Sequence, residues 1–138
     1  MADNTYISFY LGIGRIHVFC NAVREIGEPP YIRFLLEQSG SAMLMEPYDR
    51  KEFQSLRVPK AVYRKTGKME FRSAAFCRLL AGKLGWDYTC SYRIPGRILP
   101  KQKLVIFDLT GAFPVESARI VKDAESVPEN ETGYPETI

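Results

Sequence analysis

A strand, a helix, a stopping glycine and two apolar runs follow one another twice along this chain, with a strongly basic stretch between the two passes. The first pass runs from Arg15 to Asp49 and the second from Lys68 to Leu109. In the first, Arg15-Ile16-His17-Val18-Phe19 reads as a strand and Asn21 to Ile26 as a short helix that Gly27 stops. In the second, Met69-Glu70-Phe71 leads into a helix from Ser73 to Leu84 that Gly85 stops, so the two stopping glycines lie 58 residues apart. A unit this small cannot bury its apolar face alone, and two copies are therefore expected to share one core. The pattern predicts an α+β fold in which two pseudo-symmetric β-α-β-β copies pack as one domain.

Turn and cap chemistry sharpens the reading of each copy. Tyr31 to Leu36 and Ala42 to Met45 flank Ser39-Gly40-Ser41, the signature of a hairpin. Pro29-Pro30 keeps the preceding helix from running into that hairpin. Asn21 is expected to cap its helix, with Gly27 taking the positive φ beyond its end. Asp49 and Glu52 have capping-box spacing, which predicts a further helix over Arg50 to Leu56, ended by Val58-Pro59. In the second copy Ser73 is the expected N-cap. Phe76, Leu79, Leu80 and Leu84 form the apolar face of its helix, and Arg78 and Lys83 face solvent. Trp86 is expected to anchor the helix end against the sheet. Tyr88 to Ile94 reads as a strand, Pro95-Gly96 as a turn and Leu104 to Leu109 as a buried strand.

Charge divides the 138 residues unevenly. Residues 114–138 carry Glu116, Asp123, Glu125, Glu129, Glu131 and Glu136 against Arg119 and Lys122, a net of −4, which leaves +7 on residues 1–113. The expected organisation is a two-copy domain over 1–113, with a basic connector at 50–67, and an acidic, partly disordered tail over 114–138. Arg50, Lys51, Arg57, Lys60, Arg64, Lys65, Lys68 and Arg72 face only Glu52 and Glu70, a net of +6 between Arg50 and Arg72. Such clustering attracts nucleic acid or an acidic protein surface, or else serves only solubility.

Catalytic chemistry finds little to work with. The single histidine, His17, sits between Ile16 and Val18 in a predicted strand, where a hydrogen-bonded or exposed role is the ordinary one. Cys77 lies among helix apolar residues and reads as core, whereas Cys20 stands at a helix start, where a thiol is acidified, yet without a base nearby in sequence. Gly12-Ile13-Gly14 precedes a strand and so cannot be a dinucleotide-binding phosphate loop. No cluster with metal-ligand spacing is present, and neither metal nor cofactor is expected. Tyr63, Phe71, Tyr88 and Tyr92 lie near basic residues, where they would either stack on single-stranded bases or pack the sheet. Three cysteines without CxxC spacing, together with an N-terminal stretch that resembles neither a signal peptide nor a membrane span, point to a cytoplasmic protein.

The segment Gly14-Arg15-Ile16-His17-Val18-Phe19-Cys20-Asn21-Ala22-Val23-Arg24-Glu25-Ile26-Gly27, continued by the hairpin of Tyr31 to Glu37 and Ala42 to Tyr48, resembles AbrB/MazE-like swapped-hairpin domains. The order is that family's: a Gly-Arg pair, an apolar strand, a short helix carrying arginine, a glycine stop and a hairpin. It departs from the family at Phe19, where a proline is usual, at Val23, where a second arginine is usual, and at Pro29-Pro30-Tyr31, which replaces a Gly-Asp entry to the hairpin. The resemblance implies a small barrel of two interleaved copies and a non-catalytic, DNA-binding transcriptional regulator. Arg15 and Arg24 correspond to arginines that face DNA in such regulators. With Lys60, Arg64, Lys65, Lys68 and Arg72 they form the expected DNA-binding set. The alternative is a protein-interaction or scaffold module whose basic face meets an acidic partner or whose sheet edges pair copies of the chain.

Overall fold

Antiparallel pairing organises nearly all of residues 3–52 and 54–115, the part of the chain that the computed structural model describes. The strands are β1 (Asp3–Tyr10), β2 (Arg15–Phe19), β3 (Tyr31–Leu36), β4 (Ala42–Tyr48), β5 (Leu56–Arg57), β6 (Lys68–Arg72), β7 (Ser91–Leu99), β8 (Leu104–Asp108) and β9 (Phe113–Val115). They form one nine-stranded sheet in the order β5-β3-β4-β8-β7-β1-β2-β6, with β9 also on β7, and the sheet is strand-rich, barrel-like and nearly closed. Helices α1 (Cys20–Glu25) and α2 (Ala74–Leu84) follow β2 and β6. No helix among the described residues is long and apolar enough to cross a membrane.

Alternation sets which side chains fill the sheet interior. Ile7 and Phe9 of β1, Ile16 and Val18 of β2, Met43 and Met45 of β4, and Val105 and Phe107 of β8 are fully buried, joined by Cys77 and Leu80 from α2 and Ala22 and Val23 from α1. Each large apolar side chain removed from water in this way contributes about 1.5–3 kcal/mol. The alternate residues of β2 and β6, namely Arg15, His17, Phe19, Lys68, Glu70 and Arg72, turn outward. Strand β2 pairs with β6 and β4 with β8, and two backbone bonds extend the first of these ladders. Cys20 N–H donates to the Gly67 carbonyl at 2.8 Å, and Ser73 N–H donates to the Gly14 carbonyl at 2.9 Å.

Several elements differ from the sequence expectations. The helix expected over Arg50 to Leu56 does not form. The Ser55 hydroxyl accepts from Glu52 N–H and donates to the Glu52 carbonyl, Asp49 engages Arg50 rather than capping, and Leu56–Arg57 pair with Tyr31–Ile32 as β5. Local turn bonds thus displace the capping box. Asn21 is not an N-cap: Phe19 occupies that position in extended geometry without a side-chain cap bond, and the helix opens at Cys20 because its N–H is taken by Gly67. Ser73 does cap α2, accepting from Phe76 N–H at 3.2 Å, and Gly85 ends the helix at φ 69. Leu79, expected on the buried face, is 58% exposed. Trp86 anchors the helix end as expected, stacked on Tyr92 with ring centroids 4.4 Å apart.

Pro95-Gly96 is not a turn but the middle of β7, opposite Tyr6 and Thr5 of β1. On the other side of β7, β8 pairs only from Gly96 onward and β9 only up to Arg93, so proline falls between two partners. The actual turn follows Pro100, closed by Lys103 N–H to the Pro100 carbonyl at 3.2 Å. Strand β1 lies outside both expected copies, yet it joins β2 to β7. Of the expected acidic tail, Pro114 and Val115 belong to β9, and residues 116–138 lie outside the described part of the chain.

Candidate nucleic-acid interface

The outward face of β2 and β6 gathers three of the expected cations. Register places Arg15 opposite Arg72, His17 opposite Glu70 and Phe19 opposite Lys68. Glu70 lies at the centre: Arg15 Nε is 3.4 Å and Arg72 Nε 3.3 Å from its Oε2, and His17 Nε2 is 3.2 Å from Oε1. Desolvation pushes the Glu70 carboxyl up, but the His17 hydrogen bond and the Arg15 and Arg72 charges together hold it below the usual carboxylate range. One carboxylate therefore orders three basic groups without neutralising them all. The Arg72 side chain stays 71% exposed and that of Arg15 40% exposed. Lys68 Nζ lies over the Phe19 ring, 6.0 Å from its centroid.

Strand β1 extends this face sideways. Ser8 stands opposite both His17 and Arg93, and Arg93 Nε donates to the Ser8 hydroxyl at 3.3 Å. Tyr10 stands opposite Arg15 and packs against the His17 ring at 4.7 Å between centroids. A row Arg93–Ser8–His17–Glu70 thus crosses four strands beside the row Ser91–Tyr10–Arg15–Arg72. Ser8 and Tyr10 go unnoticed in the sequence because β1 is not recognised as a strand, and their signal is the alternation through Thr5-Tyr6-Ile7-Ser8-Phe9-Tyr10; Arg93 lies in an expected strand, but only β1 brings it beside this face.

Of the other expected cations, Arg24 lies on α1, and Lys60, Arg64 and Lys65 lie on the connector, which holds a 3-10 turn over Lys60–Arg64 packed against α1. Arg24 Nη1 donates to the Lys65 carbonyl at 2.6 Å, so this guanidinium ties α1 to the connector. Lys65 follows the turn and is exposed. Lys60 and Arg64 line an open cleft of about 610 Å³ together with Arg57, Glu28, Pro30, Tyr31, Val58 and Tyr63. The expected set is therefore divided between the β2–β6 face, with Arg15, Lys68 and Arg72, and the connector, with Lys60, Arg64, Lys65 and the Arg24 tether.

Cys20, Cys77, Phe71 and Tyr92 take structural places. Cys20 and Cys77 have no exposed surface, and burial, opposed by the Arg78 charge, pushes the Cys77 thiol up to about 11. The location of Cys20 at a helix start therefore does not make it accessible. Phe71 is buried, Tyr92 is stacked under Trp86, and Tyr63 donates its hydroxyl to the Pro29 carbonyl. No family model, curated protein or solved structure matches this chain.

Proposed function

We propose that the chain is a non-catalytic DNA-binding protein, a transcriptional regulator of the swapped-hairpin type, in which β2-α1-β3-β4 and β6-α2-β7-β8 act as two copies of one unit. The pairing pattern supports this reading. The first strands of the two copies pair with each other, as do the last strands, and both pairings are antiparallel. Exchange of the copies about the His17–Glu70 pair turns Cys20 into Ser73 and Gly14 into Gly67. The two backbone bonds that extend the ladder are thus each other's counterparts. Gly14 and Gly67 both have positive φ, 66° and 87°, and each follows a 3-10 turn and precedes a basic residue.

The observation that carries the functional reading is that exchange pairs Arg15 with Lys68, so each copy opens its first strand with a cation on one exposed face. Duplex DNA offers phosphates related by its own two-fold axes, and a two-fold arrangement of cations meets both strands equivalently. Arg72 adds to this face, and Lys60, Arg64 and Lys65 extend the positive potential along the connector. Phosphate contacts of this kind position the protein and supply salt-dependent affinity without reading sequence.

The test is a fluorescence titration of labelled duplex across a salt series. About five engaged phosphates give a log–log slope near −4 to −5, and the Arg15→Ala/Lys68→Ala/Arg72→Ala variant should lose about three of those units. Binding that is indifferent to salt, or absent at low salt, overturns the reading. A second reading, an interaction module, is favoured by the apolar groove that Phe34, Leu35, Leu36, Leu56, Phe76 and Leu79 form beside the sheet ends. Reversing the charge of Lys60, Arg64, Lys65 and Lys68 discriminates: the first reading loses DNA, whereas the second changes assembly or partner capture.

A further inference from the structure

We propose that the cleft beside the Lys60–Arg64 turn is a binding site for a single phosphorylated nucleoside unit. Arg57, Lys60 and Arg64 line one cleft with Tyr31 and Tyr63, and Glu28 is the one carboxylate among the lining residues. Among the described residues none of these three cations has an ion-pair or side-chain hydrogen-bond partner. Arg15, Arg33, Arg50 and Arg72, by contrast, each have a carboxylate within 4 Å. Three basic side chains against one acid leave the cleft with two positive charges in excess, which matches the charge of a phosphate monoester at neutral pH. Its volume is about 610 Å³.

The tyrosines make the ligand more than an inorganic anion. Tyr63 is held at both ends, by the backbone of its 3-10 turn and by its hydroxyl bond to the Pro29 carbonyl. Burial, reinforced by the charge of Glu28, pushes that hydroxyl up to about 12, so it remains a donor at any physiological pH. Tyr31 is fixed on β3, paired with Tyr48 on one side and Arg57 on the other. Two partly exposed rings, Tyr31 held by its strand pairing and Tyr63 by its turn and hydroxyl bond, with the exposed Pro30 beside them, offer apolar surface for a planar base, and the cations take the phosphate. The ligand chemistry is shared by a free mononucleotide and by the terminal nucleotide of a 5′-phosphorylated single strand. The inference rests on the nucleic-acid reading in giving Lys60 and Arg64 a phosphate to hold. Its own probes, Tyr31 and Arg57, lie outside the residues on which duplex binding is tested.

The experiment is isothermal titration of the full chain with adenosine 5′-monophosphate, adenosine and inorganic phosphate. Further arms use a short oligothymidine with and without a 5′-phosphate. The monophosphate is expected to bind at least tenfold more tightly than adenosine or phosphate alone. Tyr31→Ala is expected to weaken it about tenfold, the loss of one stacking contact. Arg57→Glu, a change on an exposed side chain, should weaken it at least as much and serves where Tyr31→Ala fails to fold. A tighter phosphorylated oligomer assigns the site to strand ends, and a tighter free nucleotide assigns it to a small-molecule ligand. The proposal is overturned if the monophosphate does not bind, if inorganic phosphate binds as well as the nucleotide, or if Arg57→Glu leaves binding unchanged. Failure of the Arg15→Ala/Lys68→Ala/Arg72→Ala variant to bind duplex, with nucleotide binding retained, separates this site from the sheet face.

Discussion

Replacing Gly96 by alanine adds one methyl group at the described glycine with the least room for it. An ideal Cβ at this position would lie 2.5 Å from Cδ1 and 2.8 Å from Cε1 of Phe107, and 3.0 Å from the Ile106 carbonyl oxygen. Carbon–carbon contacts are comfortable at about 3.5–4.0 Å, so the ring must retreat by roughly 1 Å. It has nowhere to go, because Phe107 is fully buried. The strand cannot yield either, because Gly96 pairs with Thr5 on one side and Phe107 on the other. Overpacking of this kind costs about 1–3 kcal/mol, offset by about 0.5–1 kcal/mol because alanine has less freedom to lose on folding. A net loss of about 0.5–2 kcal/mol should lower Tm by roughly 2–8 °C for a domain of this size. Thermal and urea unfolding followed by circular dichroism measure it, with an unchanged m-value showing that the denatured state is the same. Phe107→Leu removes the clashing ring atoms, so the double variant should be more stable than the sum of the single losses requires. Wild-type stability in Gly96→Ala, or strict additivity in the double variant, refutes the packing argument.

Three further predictions concern the site and its supports. Glu70→Gln frees Arg15, His17 and Arg72 from their shared carboxylate, and should tighten duplex binding and steepen its salt dependence in the same titration; weaker binding would mean that Glu70 is needed to order the cations. Because the fold favours the ionised Glu70, its contribution to stability is present above the ordinary glutamate value and disappears as pH falls through the lowered folded value. The stability difference between wild type and Glu70→Gln, read by urea unfolding, should therefore vanish in acid. Ser73→Ala removes the α2 cap and should cost about 1 kcal/mol, whereas Asn21→Ala, at a position that caps nothing, should be close to neutral in the same assay.

Local chemistry in the sequence was sufficient wherever a few adjacent residues decide the outcome. Ser73 and Gly85 delimit α2, Gly27 follows α1 at φ 107, and Gly40 turns the β3–β4 hairpin at φ 79, as their side chains or lack of them require. Alternation likewise marks β2 and β6, because a strand with one buried face carries its own period, and the unbroken apolar run Leu104 to Phe107 marks β8. The basic run was legible as charge, and Lys60 and Arg64 do share a cleft.

Tertiary structure decided what depends on partners distant in sequence. Asp49 and Glu52 have capping-box spacing, but β3 offers Leu56–Arg57 a pairing edge and the helix is lost. Pro95-Gly96 has the composition of a turn, yet the pair is held straight between β1 and β8, where proline falls in a gap between partners and glycine admits the Phe107 ring. The sequence by itself determined which residues are basic and, where polar and apolar residues alternate as in β2 and β6, which face of the strand is apolar. Only the fold brought Glu70 into contact with Arg15, His17 and Arg72, and Arg57 and Tyr31 alongside Lys60 and Arg64. The physical reason is that alternation specifies a face but not a neighbour: cross-strand register is set by the packing of the whole sheet, and the charge pattern of a site exists only once that register is fixed.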